Sequence, residues 1–244
     1  MLKILIFFLC LSTTLFAEFN LKPTTSTLLR VDDIYGYIKD DSNFIIGSSG
    51  VIIHSFGDSK SIVARARVIQ KINGVAKLEF SVFDALEQSA LPLPNILPEE
   101  GDEVILNFLY DRAVIIAPDE EIYNYIHLNN QELYFTHIDI LGAQLIRTSV
   151  LSPKRSDFRK FCANNTTGIV IFALQEKAKY VDCQDFVVLY ESQIPKTSSI
   201  QVPFYSRIGG YKSGILDFTS EQISNFFNYY ETLIDLYSVR KKNE

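Results

Sequence analysis

Three histidines, His54, His127 and His137, are the residues of this 244-residue sequence that best suit acid–base catalysis or metal binding. No two of them have the i, i+4 spacing by which one helix presents two ligands to a metal. Asp139 could orient the imidazole of His137, but no candidate nucleophile accompanies this pair. The sequence also contains neither the nucleophile elbow GxSxG nor a phosphate-binding glycine loop. We therefore predict a protein that is not an enzyme, with no catalytic residues, no metal and no cofactor.

The basic residues that could contact a partner are concentrated at the C-terminal end, at Arg240, Lys241 and Lys242. The chain as a whole has 23 basic and 29 acidic residues and a net charge of -6 at pH 7. Binding a polyphosphate needs a concentrated basic surface, and no other Lys/Arg-rich face appears in the sequence. We therefore predict that nucleic acid is not a partner.

The first 17 residues have the pattern of an export signal. Lys3 is followed by an apolar run from Ile4 to Leu11, and Ala17 offers a small residue at a cleavage point before Glu18. This apolar part is too short to cross a hydrocarbon core of about 30 Å. We expect cleavage after Ala17 and export, with no membrane-spanning segment afterwards. An uncleaved anchor is the alternative.

Two cysteines follow the predicted signal, Cys162 and Cys183. Export places them where disulfides persist, so we expect them to form one disulfide. By the chain-entropy model, closing a loop of about 20 residues adds roughly 3 kcal/mol to the free energy of unfolding. Two separate buried thiols are the alternative. A zinc site is not expected, because the pair lacks CxxC spacing and a nearby histidine.

A β-hairpin is the clearest local prediction. Apolar and polar residues alternate over 62–68 and again over 76–82, and Asn73 and Gly74 between them suit a type I′ turn. A period of two places the apolar side chains on a core. We expect the opposite, charged face, which includes Arg65 and Arg67, to meet water.

The rest of the sequence changes character near Pro118. Short strand patterns and turns precede it, whereas helix and strand patterns alternate after it. The predicted fold class is α+β: an N-terminal antiparallel β-barrel or sandwich-like half, then a mixed α+β half that ends in an amphipathic helix. The predicted parts are a signal peptide (1–17), a β-rich domain (18–117) and an α+β domain (118–244).

The C-terminal helix is predicted from a capping pair, Thr219 and Gln222, and from an apolar stripe. Aromatic stripes at this spacing usually belong to a protein's own core, so we expect the helix to pack on its own domain. Docking on another protein is the alternative. The stripe comprises Ile223, Phe226, Phe227, Tyr230, Leu233, Ile234 and Tyr237.

Seven stretches, in an order that agrees with that of a known family, cover nearly the whole chain after the predicted signal. On them the chain resembles the N-terminal domain of the bacterial plasminogen-binding protein PgbA family. The stretches are GSSGVIIHSF (47–56), SVFDALEQSALPLPNILPEEGDEV (81–104), AVIIAP (113–118), HIDILGAQL (137–145), DFRKFC (157–162), VDCQDFVVL (181–189) and FFNYY (226–230).

The resemblance implies a protein of the cell surface that captures host plasminogen through lysine. The lysine-binding pocket of a kringle takes an ammonium at one end and a carboxylate a few ångströms away. In this sequence Lys241 or Lys242 would supply the ammonium, and Glu244 would supply a side-chain or terminal carboxylate. The alternative role of these lysines is to complement the C-terminal dipole of the last helix.

Two functions fit an exported chain that is not an enzyme. The first is a surface or outer-membrane protein whose partner is host plasminogen. The second is a periplasmic scaffold or assembly factor whose partner is another envelope protein, for example in the flagellar motor. The aromatic terminal helix motivates the second hypothesis.

Overall fold

Two β-sheets and four helices make up the part of the chain that the computed structural model describes, residues 21–83, 96–208 and 223–240. The predicted signal (1–17) lies outside these residues. The first sheet contains β1 (Thr24–Thr27), β2 (Arg30–Asp32), β3 (Tyr35–Lys39), β4 (Ser49–Phe56), β5 (Ser59–Ile72), β6 (Val75–Ser81) and β7 (Glu103–Leu106). The second contains β8 (Arg112–Ile116), β9 (Tyr134–Phe135), β10 (Ile169–Leu174), β11 (Lys177–Asp182) and β12 (Val188–Gln193). The helices are α1 (Glu120–Leu128), α2 (Ile138–Arg147), α3 (Arg155–Asn165) and α4 (Phe226–Arg240).

The first sheet is antiparallel, with the strand order β1-β7-β4-β5-β6-β3-β2. The predicted hairpin is confirmed: β5 pairs with β6, and Asn73 and Gly74 have φ angles of 52° and 78° at the turn. Both angles are positive, as a type I′ turn requires.

The sheet is curled so that its two outer strands, β1 and β2, are consecutive in the chain. Only Leu28 and Leu29 separate them. The backbone N–H of Leu28 donates to the carbonyl of Asp102 over 2.9 Å, and that of Leu29 donates to the carbonyl of Tyr37 over 2.8 Å. One short segment therefore bonds to both sides of the sheet, and the result is the barrel-like half that the sequence predicts.

The second sheet has the order β12-β11-β10-β8-β9 and is mixed. Strand β8 runs parallel to both β10 and β9, whereas β10, β11 and β12 are antiparallel to one another. The six residues of β10 are all buried, which is typical of a strand covered on both faces. The predicted α+β fold class is confirmed.

One predicted strand belongs to the other sheet. The sequence analysis assigns residues 113–117 to the N-terminal β half. In the structure, residues 113–116 belong to β8, which lies between the parallel strands β10 and β9 of the second sheet. Its Ala113–Ile116 stretch is buried on both faces, so its continuous apolar run fits a parallel interior strand better than an alternating antiparallel one. The division of the chain into domains at residue 117 remains a prediction.

Helix α4 begins at Phe226, so Ile223, which the sequence analysis includes in the apolar stripe of this helix, precedes it. Asp119 caps α1, because its carboxylate accepts a hydrogen bond of 2.8 Å from the backbone N–H of Ile122. Helix α4 packs on the second sheet, as expected: Phe226 and Tyr230 are buried, and the ring of Tyr230 lies 5.4 Å from that of Phe172. The proposed capping pair Thr219 and Gln222 and the side chain of Tyr237 lie outside the described part.

Among residues 21–83, 96–208 and 223–240, no helix is both long enough and apolar enough to cross a membrane.

Candidate functional site

A polar cluster joins the two sheets. It comprises Ser49 at the start of β4, Arg65 in β5, Tyr110 in the β7–β8 connection, Asp182 at the end of β11 and Asp185 in the turn that follows; we call it the inter-sheet cluster. Ser49 Oγ donates to Asp182 Oδ2 over 2.6 Å, and the Tyr110 hydroxyl donates to the same oxygen over 2.8 Å. The backbone N–H of Ser49 in turn donates to the Tyr110 hydroxyl oxygen over 2.8 Å.

The second oxygen of Asp182 faces a charge and two backbone groups. Arg65 Nη2 lies 3.4 Å from Asp182 Oδ1 and 2.7 Å from Asp185 Oδ2. The backbone N–H groups of Gln184 and Asp185 also donate to Asp182 Oδ1. Asp182 is therefore the acceptor on which groups of both sheets converge, while it also orders the turn after β11.

Burial sets the electrostatics of the cluster. Burial alone would lower the pKa of the Arg65 guanidinium, but the charges of Asp182 and Asp185 outweigh it, so the pKa is raised. Burial, followed by the charge of Asp182, raises the pKa of the Tyr110 hydroxyl well above its usual value. Arg65 thus stays a cation and Tyr110 stays a neutral hydrogen-bond donor.

The position of Arg65 and Arg67 corrects one expectation. Their face of the hairpin was predicted to meet water, yet their side chains are only 13% and 19% exposed. The turn after β11 covers this face of β5, and Arg67 forms ion pairs with Glu79 and Asp185. The alternation predicted the strand correctly but could not reveal that a second sheet packs against its charged face.

The disulfide lies directly beside the inter-sheet cluster. The structure joins Cys162 of α3 to Cys183, the residue after Asp182, with a Cα–Cα distance of 6.5 Å. A cavity of about 40 Å³ lies between this disulfide, Ser49 and Arg65. So small a cavity, beside groups that already bond to one another, offers no room for a substrate.

A second polar site lies where the parallel strands β8 and β9 end. A segment of the chain that we call the strap (residues 197–207) crosses this edge of the sheet. The carboxylate of Asp119 accepts hydrogen bonds from Thr197 and Ser199, and that of Asp139 accepts them from Ser206 and Arg207. The carboxyl ends of parallel strands are where α/β sheets usually bind ligands, and here the chain's own strap occupies that position.

These hydrogen bonds control the charge of both acids. Burial alone would raise the pKa of Asp119 and of Asp139, but the hydrogen bonds donated by Ile122 and the strap outweigh it. Each pKa is therefore lowered, and both carboxylates remain ionised at neutral pH.

A family model described as "Plasminogen-binding protein pgbA N-terminal" matches residues 23–234 of the chain. The chain belongs to this family. The resemblance predicted from the sequence is thereby confirmed.

Two relatives of this chain carry the name Plasminogen-binding protein PgbA and come from Helicobacter pylori strains J99 and 26695. Each is 29% identical to it over 196 residues, which is 78% of this chain. The chain spans only 42% of the length of each relative.

The histidines of this PgbA-type domain have separate positions. His54 Nδ1 lies 2.7 Å from Asp102 Oδ1, in the first sheet. His137 caps α2, where its Nδ1 accepts a hydrogen bond from the backbone N–H of Asp139. The ring of His127 stacks beside Tyr123 in α1. In residues 21–83, 96–208 and 223–240, no group of three or more His, Cys, Asp or Glu side chains could hold a metal ion.

The predicted plasminogen-binding residues Lys241, Lys242 and Glu244 lie outside the described residues, directly after α4. Sequence reasoning missed the inter-sheet cluster, although two of the stretches that carried the family resemblance contain Ser49 and Asp182. The signal that could have revealed the cluster is a polar residue beside apolar strand residues: Ser49 begins β4, and Asp182 ends β11. Such a residue needs a buried partner.

Proposed function

We propose that this chain is an exported protein of the bacterial envelope or surface that captures host plasminogen through lysine, as a binding protein without catalytic activity. The observation that supports the proposal is membership of the PgbA N-terminal family over residues 23–234. The relatives named as plasminogen-binding proteins add to this support.

The tail supplies suitable chemistry for capture. Lys241 and Lys242 follow Arg240, the last residue of α4, and Glu244 stands two residues further on. An ammonium from either lysine and a carboxylate from Glu244 would imitate the two charged ends of a lysine ligand. Charge-assisted hydrogen bonds at both ends would give the contact its strength.

Export is supported by the disulfide between Cys162 and Cys183. Disulfides form and persist in the periplasm and at cell surfaces, whereas cytosolic thiols are usually kept reduced. Capture of a host protein additionally requires that the tail be accessible from outside the cell.

The scaffold hypothesis has less support. It was motivated by the aromatic stripe of α4, but Phe226 and Tyr230 are buried in the chain's own core. The ring of Tyr230 packs against Phe158 and Phe172, and the ring of Phe226 packs against Tyr230, so neither is available to a second protein unless the helix leaves its sheet.

The decisive experiment measures binding of plasminogen to purified protein that begins at Glu18. We expect saturable binding that a free lysine analogue abolishes, and weaker binding by the double variant Lys241→Ala/Lys242→Ala. Lys196→Ala, a substitution of an exposed lysine far from the tail in sequence, is the matched control and should bind like the unchanged protein. Binding that is absent, or that the analogue leaves unchanged, would refute the proposed function.

The location is tested separately on whole cells. Added protease should degrade the protein if it is displayed at the surface. Protection until the outer membrane is opened would place it in the periplasm, where it could not meet plasminogen, and would favour the scaffold hypothesis.

A further inference from the structure

Two lysines and one glutamate lie together on strands β11 and β12. Lys179 is directly opposite Glu191 in the strand register, and Lys177 is opposite Gln193. Because side chains alternate along a strand, all four residues lie on the same face. The side chains of Lys177 and Glu191 are 54% and 41% exposed, so a partner has access to this face. Strand β12 is the outer strand of the sheet within the described residues.

The carboxylate of Glu191 is held by the more distant of the two lysines. Lys177 Nζ lies 3.1 Å from Glu191 Oε2. No ion pair joins Glu191 to Lys179, although Lys179 is its direct neighbour across the strands. The carboxylate of Glu191 is thus paired with Lys177 and not with Lys179.

The ammonium of Lys179 is free within the part of the chain that the structure describes, where it makes neither an ion pair nor a hydrogen bond. Its side chain is partly exposed. A half-exposed ammonium without a protein partner keeps its full capacity for three hydrogen bonds.

We propose that Lys179 and Glu191 form a second, internal lysine-like determinant that enters a lysine-binding pocket of plasminogen. This inference rests on the proposed function and adds a site within the folded domain. Lys179 supplies the ammonium and Glu191 supplies a separate carboxylate, which in the unbound protein is paired with Lys177. The pair would thus present the two charges of a lysine ligand from two strands rather than from one residue.

Two lysines of β5, Lys60 and Lys71, have ammonium groups that are already paired. Lys60 makes a direct ion pair of 2.8 Å with Glu103, so its ammonium is already paired. The ammonium of Lys71 is occupied by Asp40 and by the backbone carbonyls of Asp41 and Phe44. Lys179 differs because the neighbouring acid is already paired elsewhere.

Complex formation requires little rearrangement. The Lys177–Glu191 pair is exposed, and exposed ion pairs contribute little to stability. Glu191 can therefore exchange Lys177 for a cation of the partner, while the backbone of both strands stays fixed by their pairing.

The test uses the chain from Glu18 onwards in the Lys241→Ala/Lys242→Ala background, so that the tail does not mask the internal site. Binding to plasminogen is measured with and without a free lysine analogue. We expect residual, analogue-sensitive binding that becomes about tenfold weaker on Lys179→Ala, the loss expected for a charge-assisted hydrogen bond. Glu191→Gln should weaken it similarly, while Lys60→Ala should leave it unchanged. Unaltered thermal unfolding of each variant shows that the fold is retained.

The outcomes separate the two proposals. If the unchanged chain binds and the tail variant does not, or if Lys179→Ala binds like its background, the internal site is refuted and the proposed function stands. If the unchanged chain shows no analogue-sensitive binding, both proposals are refuted.

Discussion

Ser49 Oγ in the first sheet donates a hydrogen bond of 2.6 Å to Asp182 Oδ2 in the second sheet. Both residues are buried, and their positions in the chain are 133 residues apart. Arg65 and Tyr110 bond to the same carboxylate, so Asp182 connects the barrel-like half to the mixed sheet. The relative position of the two sheets should therefore depend on this one side chain.

Replacing Asp182 with Ala should destabilise the fold by about 3–5 kcal/mol, because it leaves the buried hydroxyls of Ser49 and Tyr110 without their acceptor and removes one of the two carboxylates that face Arg65. The free energy of unfolding in denaturant measures the effect. Asp58→Ala, at an exposed turn of the first sheet, is the control and should change the free energy by less than about 0.5 kcal/mol. Similar values for the two variants would show that the cluster does not hold the sheets together.

Asp182→Asn separates charge from hydrogen bonding. The amide oxygen can still accept from one set of donors, but the charge facing Arg65 is lost. We expect a loss of stability smaller than that of Asp182→Ala, and equal losses would assign the whole effect to the charge of Asp182.

The disulfide should contribute roughly 3 kcal/mol to the free energy of unfolding, because it closes a loop with a sequence separation of 21. Cys162→Ser/Cys183→Ser should unfold at a lower temperature than the unchanged protein under oxidising conditions. A reductant should lower the unfolding temperature of the unchanged protein and leave the variant unaffected. If both proteins respond equally, the bond is absent from the purified protein, which alkylation of free thiols would also reveal.

Acid should weaken the strap. The pKa of Asp119 and that of Asp139 are lower in the folded protein than in the unfolded chain, whose aspartates titrate near about pH 4. Their stabilisation is therefore complete above that pH and disappears as the pH falls through the lower, folded pKa of each group. Unfolding temperatures measured between about pH 7 and pH 2 should fall at the acidic end.

Asn at either position should reduce that acidic dependence. Asp119→Asn keeps a capping oxygen for Ile122 but does not titrate, so its stability should be lower at neutral pH and should change less below about pH 4. If the unfolding temperature of the variant decreases at acidic pH as much as that of the unchanged protein, other carboxylates cause the decrease.

Local patterns in the sequence predicted local structure well. Alternation around Asn73 and Gly74 predicted the β5–β6 hairpin, and the helical spacing of Phe226 and Tyr230 predicted that α4 packs on its own domain. Both depend on neighbours within a few residues. The placement of β8 depends instead on its parallel pairing with β10, more than 50 residues later, and no local pattern records that contact.

The inter-sheet cluster was hidden for the same reason. Arg65 and Arg67 alternate with apolar residues as they would on a solvated face, and only the arrival of Asp182 and Asp185 from the second sheet buries them. The disulfide was predictable, because only two cysteines follow the predicted export signal, so a single pairing is possible. The pairing of Glu191 with Lys177 rather than with Lys179 could be found only from the side-chain geometry.

Helix α4 packs against its own domain, so its buried aromatic residues should contribute to the stability of the isolated protein. Phe226 is buried, and its ring centroid lies 4.8 Å from that of Tyr230. Phe226→Ala should therefore lower the free energy of unfolding of the isolated protein by about 3–5 kcal/mol, through lost apolar burial and a residual cavity. Thr232→Ala, on the exposed side of the same helix, should have little effect. If α4 instead served as a docking element for an envelope partner, Phe226→Ala would leave the isolated protein as stable as Thr232→Ala does and would impair only its assembly with that partner.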